Sequence, residues 1–317
     1  MKRFIKALVV GAAMAGALAA TGQASRAQDA IQIIAVTHGQ ASDPFWSIVK
    51  NGMTQAAEDM GVSVDYRAPE TFDMVQMAQL IEAAVNQNPA GIVVSNPDPD
   101  ALGPAIERAV AAGIPVISMN SGIAAVQQLG IRLHVGQEEA AAGQAVGARF
   151  EEMGLKNVLC VNHEVGNAAL DQRCAGVTDG LAGGKVTVLP TTTDPAETEA
   201  KIQAALSSDP SVDAIVGLSA PLVGEPAVAV TERLGLTGKV HVATFDMSPG
   251  FLQAIADGKA DFAVDQQPYL QGYLPVSFLA LNARYGTIPA GNVASGPSFV
   301  TKDTASEVIE NAAKGIR

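Results

Sequence analysis

Charged and aromatic side chains are scarce in this chain of 317 residues. Asp, Glu, Lys and Arg make up 16 % of it and Phe, Trp and Tyr only 4 %, whereas 48 % is hydrophobic. This composition, without a low-complexity tract, is typical of a globular protein long enough for two domains. Acidic residues outnumber basic ones, 32 to 20, and the net charge is −12. Because nucleic acids and anionic membranes are bound through basic patches, neither is expected as a partner.

The signatures of common enzyme classes are missing as well. No Gly-rich fingerprint links a strand to a helix, and there is neither a GxxxxGK[ST] loop nor a GxSxG elbow. The histidines lack metal-ligand spacing, and His38 and His163, which follow strand-like runs, are interpreted as hydrogen-bonding loop residues. We therefore expect no catalytic residue, metal or cofactor. The enzyme alternative, a hydrolase or epimerase, would use Asp171 and Asp246 as an acid/base pair.

The chain has only two cysteines, Cys160 and Cys174. Cys160 lies in an apolar, strand-like run and Cys174 in the helix that follows, so a disulfide between them is geometrically feasible. An even pair in an oxidising compartment favours the disulfide. Two buried free thiols are the alternative.

Residues 1–27 have the pattern of a secretory signal peptide. A basic start precedes an apolar stretch of small residues, and Ser25-Arg26-Ala27 places small side chains at the −3 and −1 positions of a cleavage site near Ala27. The apolar stretch is too short for a comfortable membrane span, and no second one follows. The mature protein is therefore expected to be exported.

After the signal peptide, strand-like apolar runs alternate with alanine-rich amphipathic segments. The runs are Ile31–Val36, Val62–Tyr66, Gly91–Val94, Val116–Met119, Ile131–Val135, Val158–Val161, Val186–Leu189, Ala214–Leu218, Val240–Phe245 and Asp261–Val264. The amphipathic segments include Phe45–Met60, Met74–Val85, Ala101–Ala112, Glu138–Met153, Ala196–Leu206 and Pro226–Leu234. Repeated strand–helix units predict parallel sheets with helices on both faces. They fall into two similar halves, so the predicted fold is α/β with two doubly wound parallel-sheet lobes.

Polar loops follow the strands in both halves, where an open parallel sheet presents its ligand crevice. The first, THGQASDPFW, carries the carboxylate of Asp43 and two adjacent aromatics, Phe45 and Trp46. The alternative is that these aromatics only staple the first helix. Other candidates at strand ends are Asn120, Asp171, Ser219, Asp246 and Gln266. Each taken alone could equally be a turn or helix-cap residue.

The combination of these side chains is more informative than any one of them. Carboxylates accept hydrogen bonds from two hydroxyl groups at once, and amides both donate and accept. Aromatic faces stack on the CH face of a sugar ring. Together they predict a cleft for a neutral polyhydroxylated ligand.

A family resemblance is carried by the stretches SDPFWSIVKNGMTQAAEDMGV, GIVVSNPDPDALGPAIERAVAAGIPVISMNS, GNAALDQRCAGVTDGL, VATFDMSPGFLQAIADG and FAVDQQPYLQGYLPV. The chain resembles the periplasmic sugar-binding proteins of ABC importers, of the type I ribose/galactose-binding class, over essentially its whole mature length. The resemblance implies two lobes that are joined by three hinge strands and close over a sugar.

The resemblance also implies the ligand-binding residues. The family's aromatic loop corresponds to Asp43-Pro44-Phe45-Trp46, and its acidic residue after the fourth strand corresponds to Asn120. The arginine that the family has at the helix opening of the second lobe falls on Asp171, with Arg173 two positions later. The remaining implied positions are Asn96, Ser219, Asp246 (after Phe245) and the hinge residue Gln266.

Two departures from the family pattern bear on the ligand. Ser121 and Asp171 stand where the family often has arginines that donate to sugar oxygens. The site is therefore expected to be poor in donors and rich in acceptors. It would suit a polyol, an amino sugar or a sugar whose hydroxyls mainly donate, and D-ribose is not singled out.

Lobe limits and partners follow from the same resemblance. The first lobe would comprise residues 28–135 and 267–295, and the second 136–266 and 296–317. The hinge crossings would lie near Val135–Gly136, Gln266–Gln267 and Gly296–Pro297. The implied function is that of a monomeric periplasmic protein that delivers a sugar or polyol to ABC permease subunits. The alternative is a sensor that presents its closed form, with a sugar or furanosyl signal bound, to a chemoreceptor or sensor kinase.

Overall fold

The computed structural model describes residues 31–39 and 43–317, so the expected signal peptide lies outside the described residues. Strands and helices alternate in the first part of the chain. They are β1 Gln32–Val36, α1 Pro44–Met60, β2 Ser63–Arg67, α2 Met74–Val85, β3 Gly91–Val94, α3 Pro99–Ala111, β4 Val116–Asn120 and β5 Leu133–Gly136. Each of these strands lies within two residues of the apolar run that predicts it.

The same alternation continues in the second part. Its elements are α4 Glu139–Glu152, β6 Asn157–Asn162, α5 Ala168–Gly180, β7 Lys185–Pro190, α6 Pro195–Ser208, β8 Ala214–Gly217, α7 Glu225–Arg233, β9 His241–Phe245, α8 Pro249–Ala256, β10 Phe262–Asp265, α9 Pro268–Tyr285, β11 Val293–Ala294, β12 Ser298–Thr301 and α10 Lys302–Ala313. In the described part of the chain, no helix combines the length and the apolar character needed to cross a bilayer.

Two six-stranded sheets are built with the same strand order. The first runs β11-β5-β4-β3-β1-β2 and the second β12-β10-β9-β8-β6-β7. The strands pair in parallel except β10 and β12, which are antiparallel. Strands β1 to β5 of the first sheet therefore correspond to β6 to β10 of the second. This architecture confirms the predicted fold of two doubly wound parallel-sheet lobes.

Alternate residues of the inner strands face opposite sides of each sheet, and both sides are apolar. In β1, Ile33 belongs to a hydrophobic cluster on one face and Ile34 to a cluster on the other. In β6, Val158 and Leu159 divide in the same way. Helices cover both faces, so the strand ends and the loops after them are left to form a site.

The chain passes between the two sheets three times. These passages lie between β5 and β6, between β10 and β11, and between β11 and β12. They occur in the regions where hinge crossings are expected. The residue limits assigned to the lobes stay a prediction.

Helices α4 and α5 pack closely because glycines face the neighbouring backbone. A Cβ atom built on Gly143 of α4 would lie 2.1 Å from the carbonyl oxygen of Arg173 in α5. A Cβ atom on Gly176 of α5 would lie 2.2 Å from the carbonyl oxygen of Ala140. This contact brings Glu139, the first residue of α4, to the guanidinium of Arg173.

A disulfide joins Cys160 of β6 to Cys174 of α5, with their Cα atoms 5.8 Å apart. The structure thus contains the bridge and not two free thiols. Because Arg173 is adjacent to Cys174, the bridge ties the helix that carries this arginine to the second sheet.

Candidate functional site

One cavity is lined by residues from the carboxyl ends of both sheets; we call it the cleft. Its lining comprises His38, Asp43, Phe45, Trp46, Asn120, His163, Glu164, Asn167, Ala169, Leu170, Arg173, Leu218, Asp246 and Gln266. The empty space among these residues is about 330 Å³, including some open solvent at its mouth. The cleft thus lies at the strand ends, where open parallel sheets bind their ligands.

Most of the residues expected to bind ligand lie in the cleft. Those that line it are Asp43, Phe45, Trp46, Asn120, Arg173, Asp246 and Gln266. They come from strand ends and helix starts of both lobes, as the sheet topology requires. Their role in binding stays a prediction.

Three expected residues are placed elsewhere. The carboxylate of Asp171 is exposed and accepts a hydrogen bond from Nδ2 of Asn162 at 3.0 Å. The side chains of Asn96 and Ser219 are buried outside the cleft lining, without a hydrogen-bond partner among the described residues. The binding roles expected of these three residues stay a prediction, and the structure places their side chains outside the cleft lining.

The outward position of Asp171 has a simple geometric reason. Residues two apart on a helix point in nearly opposite directions, so Asp171 and Arg173 of α5 cannot face the same space. Arg173 takes the inner face and is 3 % exposed. The cleft therefore contains a guanidinium donor and is less poor in donors than the sequence predicts.

Several lining residues were not assigned to ligand binding from the sequence. His38 and His163, interpreted as loop residues, follow β1 and β6, which are corresponding strands of the two lobes. Glu164 and Asn167 belong to the loop after β6. This loop follows the strand that corresponds to β1, just as THGQASDPFW follows β1 in the first lobe. That correspondence could have identified Glu164 and Asn167 from the sequence.

The aromatic residues of the first lobe form one wall of the cleft. The rings of Phe45 and Trp46 are 5.2 Å apart and nearly perpendicular, and the Trp46 ring lies 4.7 Å from that of His38. Both aromatics are at least nine-tenths buried and also belong to the core of the first lobe. Asp43 starts α1 as its N-cap and accepts from the backbone N–H of Phe45. Asp43 thus begins helix α1, and Phe45 and Trp46 in its first turn form the aromatic wall of the cleft.

The two lobes touch each other beside the cleft. Nδ1 of His38 lies 2.7 Å from Oγ of Ser95, and its Nε2 lies 3.4 Å from Nδ2 of Asn167 in the second lobe. The backbone N–H of Ala168 donates to the carbonyl oxygen of Pro97 across the same gap at 2.9 Å. These contacts hold the lobes in a closed arrangement.

Arg173 is the buried cation of the cleft. Its Nε and Nη2 donate to the carboxylate of Glu139, and its guanidinium lies 4.8 Å from the centre of the Phe245 ring. Burial acts to lower the pKa of Arg173, but the adjacent Glu139, together with Asp246 and Glu164, outweighs it and the pKa is raised. The guanidinium therefore stays charged and fixed in position.

Asn120 and Asp246 occupy corresponding positions at the ends of β4 and β9. Both have left-handed backbone conformations, with φ of 63° and 67°. Such conformations are strained for most non-glycine residues but are best tolerated by Asn and Asp. The backbone thus turns both side chains toward the cleft by the same local geometry.

Two carboxylates of the cleft, Asp43 and Asp246, hold protons more tightly than usual. Burial raises the pKa of Asp246 to about 7, although the Arg173 charge and a hydrogen bond from Gln266 oppose the shift. Burial also raises the pKa of Asp43 to about 7, opposed by the Phe45 N–H and assisted by Glu164. A ligand that donates hydrogen bonds to either carboxylate would favour its ionised form and so lower its pKa.

The histidines of the cleft are neutral near pH 7. Burial lowers the pKa of His38 to about 3, with further contributions from His163 and Arg173. Burial and the Arg173 charge likewise lower the pKa of His163 to about 3. Neutral imidazoles both donate and accept, which suits a hydroxylated ligand. The described residues contain no group of three or more acidic, His or Cys side chains placed to hold a metal ion.

Comparison with known proteins agrees with this geometry. The model of the periplasmic binding protein domain family matches residues 33–286. A carbohydrate transporter from Acidothermus cellulolyticus 11B, solved in complex with myo-inositol, is 37 % identical and covers 91 % of this chain and 100 % of its own, with a TM-score of 0.86. A solute-binding protein from Burkholderia graminis C4D1M, solved with D-arabinose, is 25 % identical over 86 % of this chain and 96 % of its own, with a TM-score of 0.79.

A curated relative points to the same group of proteins. The xylose/arabinose-binding protein XylF of Sulfolobus acidocaldarius is 27 % identical over 286 residues, which cover 85 % of this chain and 71 % of that protein. These relatives confirm the resemblance noted in the sequence. The chain belongs to the periplasmic binding protein domain family, among the sugar-binding proteins of ABC transporters.

Proposed function

We propose that the protein captures a cyclic polyol or sugar between its lobes and delivers it to the permease of an ABC importer. The observation that carries this proposal is the cleft, where carboxylates, an arginine, imidazoles and aromatic rings from both lobes converge on one small space. The export signal expected in residues 1–27 and the family membership support action in the periplasm.

The chemistry of the cleft favours a neutral ring that carries many hydroxyls. Asp43 and Asp246 offer acceptors from opposite lobes, Arg173 offers a donor, and Trp46 offers an apolar ring face. myo-Inositol is the first ligand to test, because it is a ring of hydroxyl groups and is bound in the solved relative from Acidothermus. Pentoses are the second choice, since other relatives are named for arabinose and xylose.

The proposed mechanism is closure without covalent chemistry. A ligand that bonds both lobes stabilises the closed form in proportion to its preference for that form over the open one. The direct contacts of His38 and Ala168 across the gap add to closure. The relatives are named as transporters or import binding proteins, which favours delivery to a permease over the sensor alternative.

Thermal unfolding in the presence of candidate ligands tests the proposal. We expect myo-inositol, or failing that a pentose, to raise the Tm, because a ligand at a hundredfold excess over its Kd stabilises the folded state by about 2.7 kcal/mol. Calorimetry should give one site per chain, and the ligand should be recovered unchanged. The absence of a shift with cyclitols, pentoses and hexoses alike, or turnover of the ligand, would contradict the proposal.

A further inference from the structure

Gln271 is a buried amide just outside the cleft. It lies in the first turns of α9, is 0 % exposed and does not line the cleft. Its Nε2 lies 2.9 Å from the carbonyl oxygen of Gln266, 3.1 Å from Oε1 of the same residue and 3.1 Å from Oγ of Ser295. One amide group thus holds both the backbone and the side chain of a cleft residue.

The orientation of this amide is determined by its neighbours. Both atoms that Nε2 meets on Gln266 are carbonyl oxygens, which can only accept. Turning the Gln271 amide over would bring its Oε1 against these two acceptors. In the orientation present, Oε1 has no hydrogen-bond partner among the described side chains and backbone. The donor side of Gln271 is therefore kept toward Gln266 even though its acceptor side is left unbonded.

Gln266 is fixed in turn by two donors. Its Oε1 meets Nε2 of Gln271 at 3.1 Å and Nη2 of Arg173 at 3.4 Å. A turned Gln266 amide would place its own NH₂ group against both of these donors. The remaining Nε2 is thereby directed at Asp246, to whose Oδ1 it donates.

The hydrogen bond from Gln266 is one of several influences on the ionisation of Asp246, after burial and the Arg173 charge. The groups that face this carboxylate are Gln266, the cation Arg173, and the acidic residues Asp43 and Glu139. Arg173 and Gln266 favour the ionised carboxylate, whereas burial and the two acidic residues disfavour it. Because Gln266 bonds Oδ1, the carboxylate is held in one rotamer and Oδ2 is left for a ligand hydroxyl.

We propose that Gln271 is a positioning residue for ligand binding, which holds the Gln266 amide and through it sets the orientation of the Asp246 carboxylate. The inference rests on the proposed function, since it concerns the same cleft. It assigns a binding role to a residue that the ligand does not touch. Its bond to Ser295 also ties the cleft to the passage between β11 and β12.

Substitution of Gln271→Met tests the proposal, because methionine fills a similar volume without donating. We expect the Kd for myo-inositol to rise about tenfold, the equivalent of one or two hydrogen bonds. A second variant, Gln271→Glu, replaces the donating NH₂ group by a carboxylate oxygen, which faces the two carbonyl oxygens of Gln266. It should weaken binding at least as much. The matched control is Gln253→Met on the exposed face of α8, which should bind like the wild type.

A ligand-free readout separates positioning from loss of stability and from failure of the proposed function. Carboxyl NMR, with the Asp246 signal assigned through Asp246→Asn, should show its titration midpoint about half a pH unit or more higher in Gln271→Met, because the bond that favours the ionised form is lost. An unchanged midpoint in both Gln271 variants would overturn the inference whatever the protein binds. A midpoint that is shifted in the Gln271 variants, together with a wild type that binds no ligand in the panel, would instead overturn the proposed function alone.

Discussion

Asp246 combines a left-handed backbone, burial and a pKa raised to about 7. We predict that Asp246→Asn weakens binding of the cleft ligand by roughly 1.5–3 kcal/mol at pH 8, the usual worth of a hydrogen bond to a charged group. Asparagine tolerates the same backbone conformation, so the fold should be preserved. Calorimetric titration of the wild type and the variant measures the difference.

The control for this prediction lies on α5. Asp171→Asn changes a carboxylate that is exposed and bonded to Asn162, away from the cleft lining. We expect its Kd to equal that of the wild type. If Asp246→Asn bound as tightly as this control, Asp246 would not be a ligand contact.

At the residue level the sequence predicts which loops form the cleft but not which way each side chain points. Strand ends identify Asp43, Asn120 and Asp246 because all parallel strands of a sheet end on one edge. The choice between Asp171 and Arg173 depends on the rotation of α5, which its packing on α4 decides. The contact of His38 with Asn167 depends on how the two lobes meet, and no local pattern encodes it.

At the level of elements, the strands of both sheets are predictable where they are buried on both faces. Such strands are continuous apolar runs, and β1 to β10 follow the predicted runs closely. The strands missed are β11 and β12, which are short, lie at sheet edges and keep partly exposed residues. Their positions are set by pairing with β5 and β10 and not by their own hydrophobicity.

The disulfide between β6 and α5 gives a prediction for this pair of elements. It closes a loop of 14 residues, for which constraint of the unfolded chain amounts to about 3 kcal/mol. Reduction, or the double substitution Cys160→Ala with Cys174→Ala, should therefore lower the free energy of unfolding by roughly 2–4 kcal/mol. Urea unfolding with and without reductant measures this loss. The double variant should be insensitive to reductant, and equal urea midpoints for oxidised and reduced wild type would contradict the prediction.

For the whole molecule, the buried histidines and the buried carboxylates change the stability with pH in opposite directions. His38 and His163, with pKa values lowered to about 3, and His134, lowered to about 4 by burial, are neutral in the folded chain. They add stability as the pH rises from about 3 to the unfolded value near 6.5. Asp43 and Asp246 act in the opposite direction, because their folded pKa values of about 7 exceed the unfolded value near 3.9.

The carboxylate contribution can be isolated with the double variant Asp43→Asn, Asp246→Asn. Asparagine remains a good N-cap at position 43 and suits the left-handed backbone at position 246. Between about pH 4 and 7 the wild type binds more protons when folded than when unfolded, so its stability falls relative to the variant as the pH rises. The variant should therefore gain roughly 6–8 kcal/mol over the wild type across this window, about 3 pH units for each of the two carboxylates, and little more above it. Chemical unfolding at a series of pH values measures the gain, and a stability difference that stayed constant from pH 4 to 8 would show that these carboxylates ionise normally in the folded protein.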